Sequence, residues 1–249
     1  MESIRILGCR VDAVGRDAAV ERVVALAHGS APSLVVTLGT EMVMEARRSP
    51  RFRDVVERAG LVVCDTVGLL LASRFRGGPL RERVTGVALL AALARRPSSD
   101  GLRLFLLGGR ADTAERAAAV LRAQGATVVG THDGYFAPER NESVAAEIKR
   151  TGANVVLAAL GSPKQELWLA DNLAATGAVV GLGVGGTFDI LAGNVRRAPA
   201  ALQKMGLEWL YRLVREPRRW RRQLALPAFA VLALRESAAM RVLRGKSTS

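Results

Sequence analysis

The stretch Val155-Val156-Leu157-Ala158-Ala159-Leu160-Gly161-Ser162-Pro163-Lys164-Gln165-Glu166 decides how the chain is read. Six apolar residues in succession suit a strand covered on both faces, because a half-exposed strand would alternate apolar with polar. Gly161 and Ser162 then break the run, and Pro163 at a first helical position starts a helix expected to reach Ala175. A doubly covered strand followed at once by a helix is half of a βαβ unit.

Working outward, continuous Val/Leu/Ile runs recur at Ile4 to Val11, Leu34 to Leu38, Leu61 to Cys64, Leu104 to Leu107, Thr127 to Gly130 and Val179 to Leu182. Segments of helical period lie between them, at Asp17 to Ala27, Glu41 to Ala59, Val67 to Phe75, Val87 to Ala94, Asp112 to Gln124 and Pro138 to Lys149. The alternation predicts an α/β fold, a Rossmann-like, mostly parallel sheet with helices on both faces. This core is expected in residues 1–195, and residues 196–249 are expected to form a basic, amphipathic helical appendage.

Of 249 residues, 49% are hydrophobic and 24% charged, which supports a large core and excludes a disordered chain. Lys and Arg number 36 against 23 Asp and Glu, a net charge of +13. The appendage holds 13 of the basic and 3 of the acidic residues, so +10 of the excess is C-terminal. Cys9 and Cys64 show no CxxC or Cys/His spacing, so neither a disulfide framework nor a zinc site is expected, and a reducing compartment fits. Met1 to Arg5 carries an acid and leads into no long apolar stretch, so a cytoplasmic protein without a signal peptide is expected. Leu224 to Leu234 contains Pro227 and falls short of the roughly 20 residues that span a bilayer.

In such a sheet, ligands sit beyond the carboxyl ends of the strands, and the residues found there are polar or glycine-rich. Gly181 to Gly186 matches GxGxxG, which would suit the dinucleotide of a Rossmann-type oxidoreductase, but no carboxylate follows about 20 residues on to hold a ribose, which argues against that reading. A tight, closely packed turn and a phosphate site of some other nucleotide both stay open. Gly108-Gly109 ahead of a helix offers an anion the same backbone N–H groups. At Gly161 to Glu166 a helix start with Lys164 and Gln165 beside it suits a diphosphate, although an ordinary N-terminal turn reads the same way. Asp65 ends an apolar run, placed either as a general base or as the cap of the next helix. Arg83 reads as one loop arginine among many.

Several chemistries lack their residues. No Asp-x-Asp occurs for a metal-diphosphate clamp, and no GxxxxGK[ST] for an NTPase. His28 and His132 are the only histidines, and with His28 on an expected helix surface a histidine-based triad has a single realistic member, so hydrolase chemistry of that type is not expected. Toward the C-terminus, Leu207 to Arg215 is amphipathic, Glu216 to Arg222 is basic around Trp220, and an apolar segment follows. Arginines beside Trp, Tyr and Leu describe a helix lying in anionic headgroups, with Arg212, Arg215, Arg218, Arg219, Trp220, Arg221 and Arg222 as its contacts. Nucleic acid competes for the same residues, but the apolar segment favours lipid, so nucleic acid is not expected as a partner.

Together these segments resemble the WecG/TagA/CpsF family, glycosyltransferase family 26, over roughly residues 4 to 222. The resemblance is carried by Thr37 with Glu41, Asp65 with Gly68, Arg83-Val84-Thr85-Gly86, Phe105 to Gly109, Asp133-Gly134-Tyr135-Phe136, Gly161 to Glu166, Gly183 to Asp189, Gly193, Arg197-Ala198-Pro199 and Gly206 to Leu213. It implies an inverting, metal-independent and cofactor-free transfer from a UDP-sugar to a polyprenyl-diphosphate-linked acceptor, by an enzyme peripheral on the inner face of the cell membrane. Asp65 matches the family's proposed catalytic base, and Thr37, Arg83 and Gln165 match polar residues of its active-site pocket. The leaving diphosphate then falls to helix N-termini, to backbone N–H groups at Gly108, Gly109, Gly161 and Gly185, and to Arg83 or Lys164. Glu166 belongs to the same substrate loop, and Tyr135 and Asp189 are placed to contact the uridine. Gly39, Thr66 and Ala88 stand where the family usually has Asn, Gly and an acid. These departures are expected at the sugar end and leave N-acetylmannosamine, its uronate, glucose and glucuronate open as donors. Self-association is left open too.

Overall fold

The computed structural model describes residues 1–199, 201–202, 205, 208–215 and 225–246, with the side chains of all but 111, 212 and 240–246. Six strands form one parallel sheet: β3 (Ser33–Leu38), β4 (Leu61–Cys64), β5 (Leu104–Gly108), β6 (Val128–His132), β7 (Val155–Ala159) and β8 (Val180–Gly183). Their spatial order is β4-β3-β8-β7-β5-β6. The expected α/β architecture is therefore present, with every pairing in this sheet parallel.

Alternate residues of the same strands feed opposite layers, which is why the runs read as continuously apolar. Val35, Leu61, Val63, Leu104, Leu106, Val155 and Leu157 pack one way, against α1 (Arg16–Ala27), α5 (Gly86–Ala94) and α6 (Ala111–Ala123). On the other face, Val36, Leu38, Val62 and Cys64 meet α2 (Thr40–Arg48), α3 (Pro50–Arg58) and α4 (Val67–Phe75). Further along that face, Phe105, Leu107, Val156 and Ala158 meet α7 (Asn141–Arg150) and α8 (Lys164–Asn172).

Two elements differ from the sequence expectation. Ile4 to Val11 is not one strand but an antiparallel hairpin, β1 (Ser3–Ile6) and β2 (Cys9–Asp12), because Leu7 (φ 50) and Gly8 (φ 88) turn the chain with left-handed backbone. Buried Asp12 accepts the Val62 N–H at 2.8 Å, so the hairpin covers the free edge of β4. Glu41 to Ala59 is two helices, since Ser49 caps α3 by accepting the Phe52 N–H at 3.2 Å and Pro50 occupies its first turn.

After β8 the chain forms the short α9 (Thr187–Leu191), then α10 (Glu208–Arg215) and the 22-residue α11 (Ala225–Lys246). Among the described residues, no helix is long and apolar enough to cross a membrane. The apolar side of α11 packs on α2 and α4, with Phe229 only 3% exposed and Ala233 buried in the core beside Met42 and Leu69. An ion pair at 2.9 Å from Arg76 to Glu236 fastens this helix, and Glu236 also accepts the Leu7 N–H at 3.1 Å.

Candidate active site

A cavity of about 710 Å³ opens beyond the carboxyl ends of β4, β3, β8 and β7, within the range of small-molecule sites. Strand register explains which side chains meet there. Leu38 is level with Cys64, Val36 with Gly183, and Ala158 with Gly183, so the four strands end within two residues of one another and the residues after them share one rim. Thr37 lies in the floor, donating its hydroxyl to the Gly183 carbonyl at 3.2 Å.

Asp65 follows β4, its N–H donated to the Leu38 carbonyl at 3.0 Å. The α4 N-cap is the next residue, Thr66, whose side chain makes no capping bond. Asp65 is therefore one residue short of the cap position, and its carboxylate lines the cavity. Arg83 reaches the same cavity because the Val84 N–H donates to the Cys64 carbonyl at 2.7 Å, which clips the following loop to the end of β4. Cys64 beside them is no nucleophile: burial pushes its thiol up to about 12, Asp65 adds to the shift, and Arg83 opposes it.

From α8, Gln165 enters the floor with its amide fixed at both ends. Its oxygen accepts the Gly185 N–H at 3.1 Å, and its Nε2 donates to Glu166 Oε1 at 2.7 Å. Glu166, 1% exposed, lies behind Gln165 and outside the cavity lining. Burial raises its carboxyl above the ordinary range, against the pull of hydrogen bonds from Gln165 and Ser162.

The GxGxxG stretch owes two of its glycines to this packing. A Cβ on Gly181 would sit 2.9 Å from a Leu169 methyl, and one on Gly183 2.6 Å from Gln165 Nε2. Gly185 has φ 52, the left-handed backbone that turns its N–H onto Gln165.

Thr37, Asp65, Arg83, Gln165, Gly161 and Gly185 are thus brought to one cavity. Gly108, Gly109, Tyr135, Lys164, Glu166 and Asp189 lie outside its lining. Gly108 (φ 129) is tight because a Cβ there would fall 2.5 Å from the Ala159 carbonyl, and the Gly109 N–H is donated to that same carbonyl. The Lys164 ammonium sits over the Phe136 ring at 5.6 Å, Asp189 accepts from Asn194 at 3.3 Å, and Tyr135 is 76% exposed. Of the tail contacts, Arg215 lies against Tyr211, with its guanidinium 5.7 Å from the ring centre. Arg218, Arg219, Trp220, Arg221 and Arg222 fall outside the described residues, as does the side chain of Arg212.

The sequence reading gave no site role to much of the enclosure, although the polar residues concerned lie within its family motifs. Glu41, Thr85, Thr187, Arg197 and Glu208 add polar lining, with Arg197 paired to Glu208 at 3.7 Å. An apolar wall of Leu71, Phe75, Trp209, Phe229, Ala230 and Leu234, drawn from α4, α10 and α11, lines the cavity as well. Among the described residues, no three His, Cys, Asp or Glu side chains are grouped as a metal site would need.

A polar cavity beyond the carboxyl ends of a parallel sheet is where α/β proteins of this kind bind their ligands. The family model of the WecG/TagA/CpsF glycosyl transferases matches residues 4–242, and the chain belongs to that family. It is a glycosyltransferase of cell-surface polysaccharide synthesis, of a family that joins a nucleotide-sugar donor to a lipid-linked acceptor.

Proposed function

We propose that the protein transfers a sugar from a UDP-sugar to a polyprenyl-diphosphate-linked saccharide, with inversion and without a metal. The observation that carries this reading is that one cavity is lined both by polar residues around the strand ends and by apolar residues of α4, α10 and α11. A sugar and a diphosphate need the first, and an isoprenoid chain needs the second. Asp65 is the base that takes the proton of the acceptor hydroxyl as its oxygen attacks the anomeric carbon. The bond from that carbon to the UDP oxygen breaks on the opposite face, and the charge on the departing diphosphate is met by Arg83 and by N–H groups around Gly161 and Gly185.

Thr37, held by the Gly183 carbonyl at the end of β8, and Gln165, held by the Gly185 N–H just beyond it, orient the sugar. The basic appendage from residue 196 onward brings the cavity to the inner membrane surface, where such an acceptor resides. The decisive experiment offers UDP-N-acetylmannosamine, its uronate, UDP-glucose and UDP-glucuronate with an acceptor bearing either a long isoprenoid or a short alkyl chain. Product with a UDP-sugar and a preference for the isoprenoid are expected; equal use of both acceptors overturns the role of the apolar wall.

A further inference from the structure

Gly39 and Thr66 line the cavity beside the base and lie next to each other, and neither residue answers a need of its own backbone. Gly39 has φ −109 and ψ 167, extended geometry that any residue adopts. Thr66 is the N-cap of α4, yet its side chain caps nothing, and its buried Oγ1 has no hydrogen-bond partner. What links them is space. A Cβ on Gly39 would meet one described atom within 4 Å, the Thr66 Cγ2 methyl at 3.3 Å. Gly183 and Gly68 differ, because a Cβ on either would collide with packed side chains at 2.6 Å and 2.5 Å. At Gly39 the missing Cβ leaves room in the cavity, bounded on one side by the Thr66 methyl.

We propose that Gly39 and Thr66 act as a single steric selector, setting how large a substituent the transferred sugar carries beside Asp65. The inference rests on the cavity being a nucleotide-sugar site. In a close-fitting subsite, one methyl group is worth about 10- to 200-fold in discrimination, so moving a methyl across this gap is large enough to measure. Gly39→Ala narrows the gap, Thr66→Ser widens it, and the double variant moves the methyl from position 66 to position 39.

The test uses the full-length protein and measures binding of UDP, UDP-glucose and UDP-N-acetylglucosamine, with melting temperature as the control for folding. UDP binds all four proteins alike. Gly39→Ala lowers the affinity ratio of the acetamido sugar to glucose by about tenfold, Thr66→Ser raises it, and the double variant returns toward wild type. Retained UDP binding with an unchanged sugar ratio in both single variants overturns the selector and leaves the nucleotide site standing. Wild-type protein that binds no UDP overturns the nucleotide-sugar reading, and the selector with it. Thr66→Ser removes only a methyl, so it remains informative should Gly39→Ala fail to fold.

Discussion

Gln165 and Glu166, neighbours in sequence, are joined by a 2.7 Å hydrogen bond from the Gln165 amide to Glu166 Oε1, and only Gln165 reaches the cavity. Glu166 fixes which edge of that amide faces which partner, while the Gly185 N–H holds the other edge.

A stability signature follows for Glu166. Burial raises its folded pKa above the usual 4.5, so the folded state holds the proton more tightly than the unfolded chain. The stability tied to that proton is fully present below 4.5 and is lost as pH rises through the folded value. Glu166→Gln carries no such group, so its melting temperature should gain on wild type as pH is raised from about 4.5 to 8. A constant difference across that range contradicts the assignment.

Asp65→Asn should abolish transfer and spare UDP-sugar binding, since the amide keeps the shape but cannot accept a proton. Loss of a general base costs about 10² to 10⁴ in rate. Turnover within about threefold of wild type would leave Asp65 a structural residue.

Glu236→Ala should loosen α11. The variant leaves Arg76, mostly buried, without its partner on α11, at a cost of about 1.5–3 kcal/mol. For a chain of this size that is a fall of roughly 3–12 °C in melting temperature. Activity on the isoprenoid acceptor should fall more than activity on the short-chain one, because Phe229, Ala230 and Leu234 belong to the apolar wall. Equal loss on both acceptors refutes the separate role of that wall.

Membrane attachment is best tested by replacing Arg218, Arg219, Arg221 and Arg222 with Gln. Truncation would remove Phe229 and Ala233 from the core and confuse unfolding with release. Each basic residue near an anionic surface contributes about 1 kcal/mol, so the four together weaken liposome binding by roughly three orders of magnitude. A wild-type protein that ignores anionic liposomes but grips RNA would refute the membrane role.

EDTA should leave transfer by the purified protein unchanged, as the missing Asp-x-Asp in the sequence suggests. Activity lost on chelation and restored by Mg²⁺ or Mn²⁺ contradicts the roles given to Arg83 and the backbone N–H groups.

The sheet was legible because doubly covered strands leave unbroken apolar runs, and Asp65 and Gln165 were legible because residues after such runs must reach the rim. Strand order was not, since nothing in Val180–Gly183 states that it lies between β3 and β7. The break at Ser49-Pro50 had a signal, a capping serine before proline, but helical period on both sides obscured it. That Gln165 faces the cavity and Glu166 the interior depends on contacts with Gly183 and Gly185, some 20 residues away. The apolar character of Leu224 to Leu234 was plain as well. Hydropathy does not say which neighbour an apolar face takes, and the Phe229 side takes the protein's own core.

The place of β8 has a consequence for how the protein is made. β8 alone pairs with both β3 and β7, and it is the last strand of the sheet to be synthesised. A nascent chain emerging from the ribosome therefore carries two unjoined half-sheets, β3-β4 and β7-β5-β6, each with an open hydrogen-bonding edge. Until β8 has left the ribosome, both edges can be captured by another chain, so a ribosomal pause before that point favours aggregation and a pause after it does not.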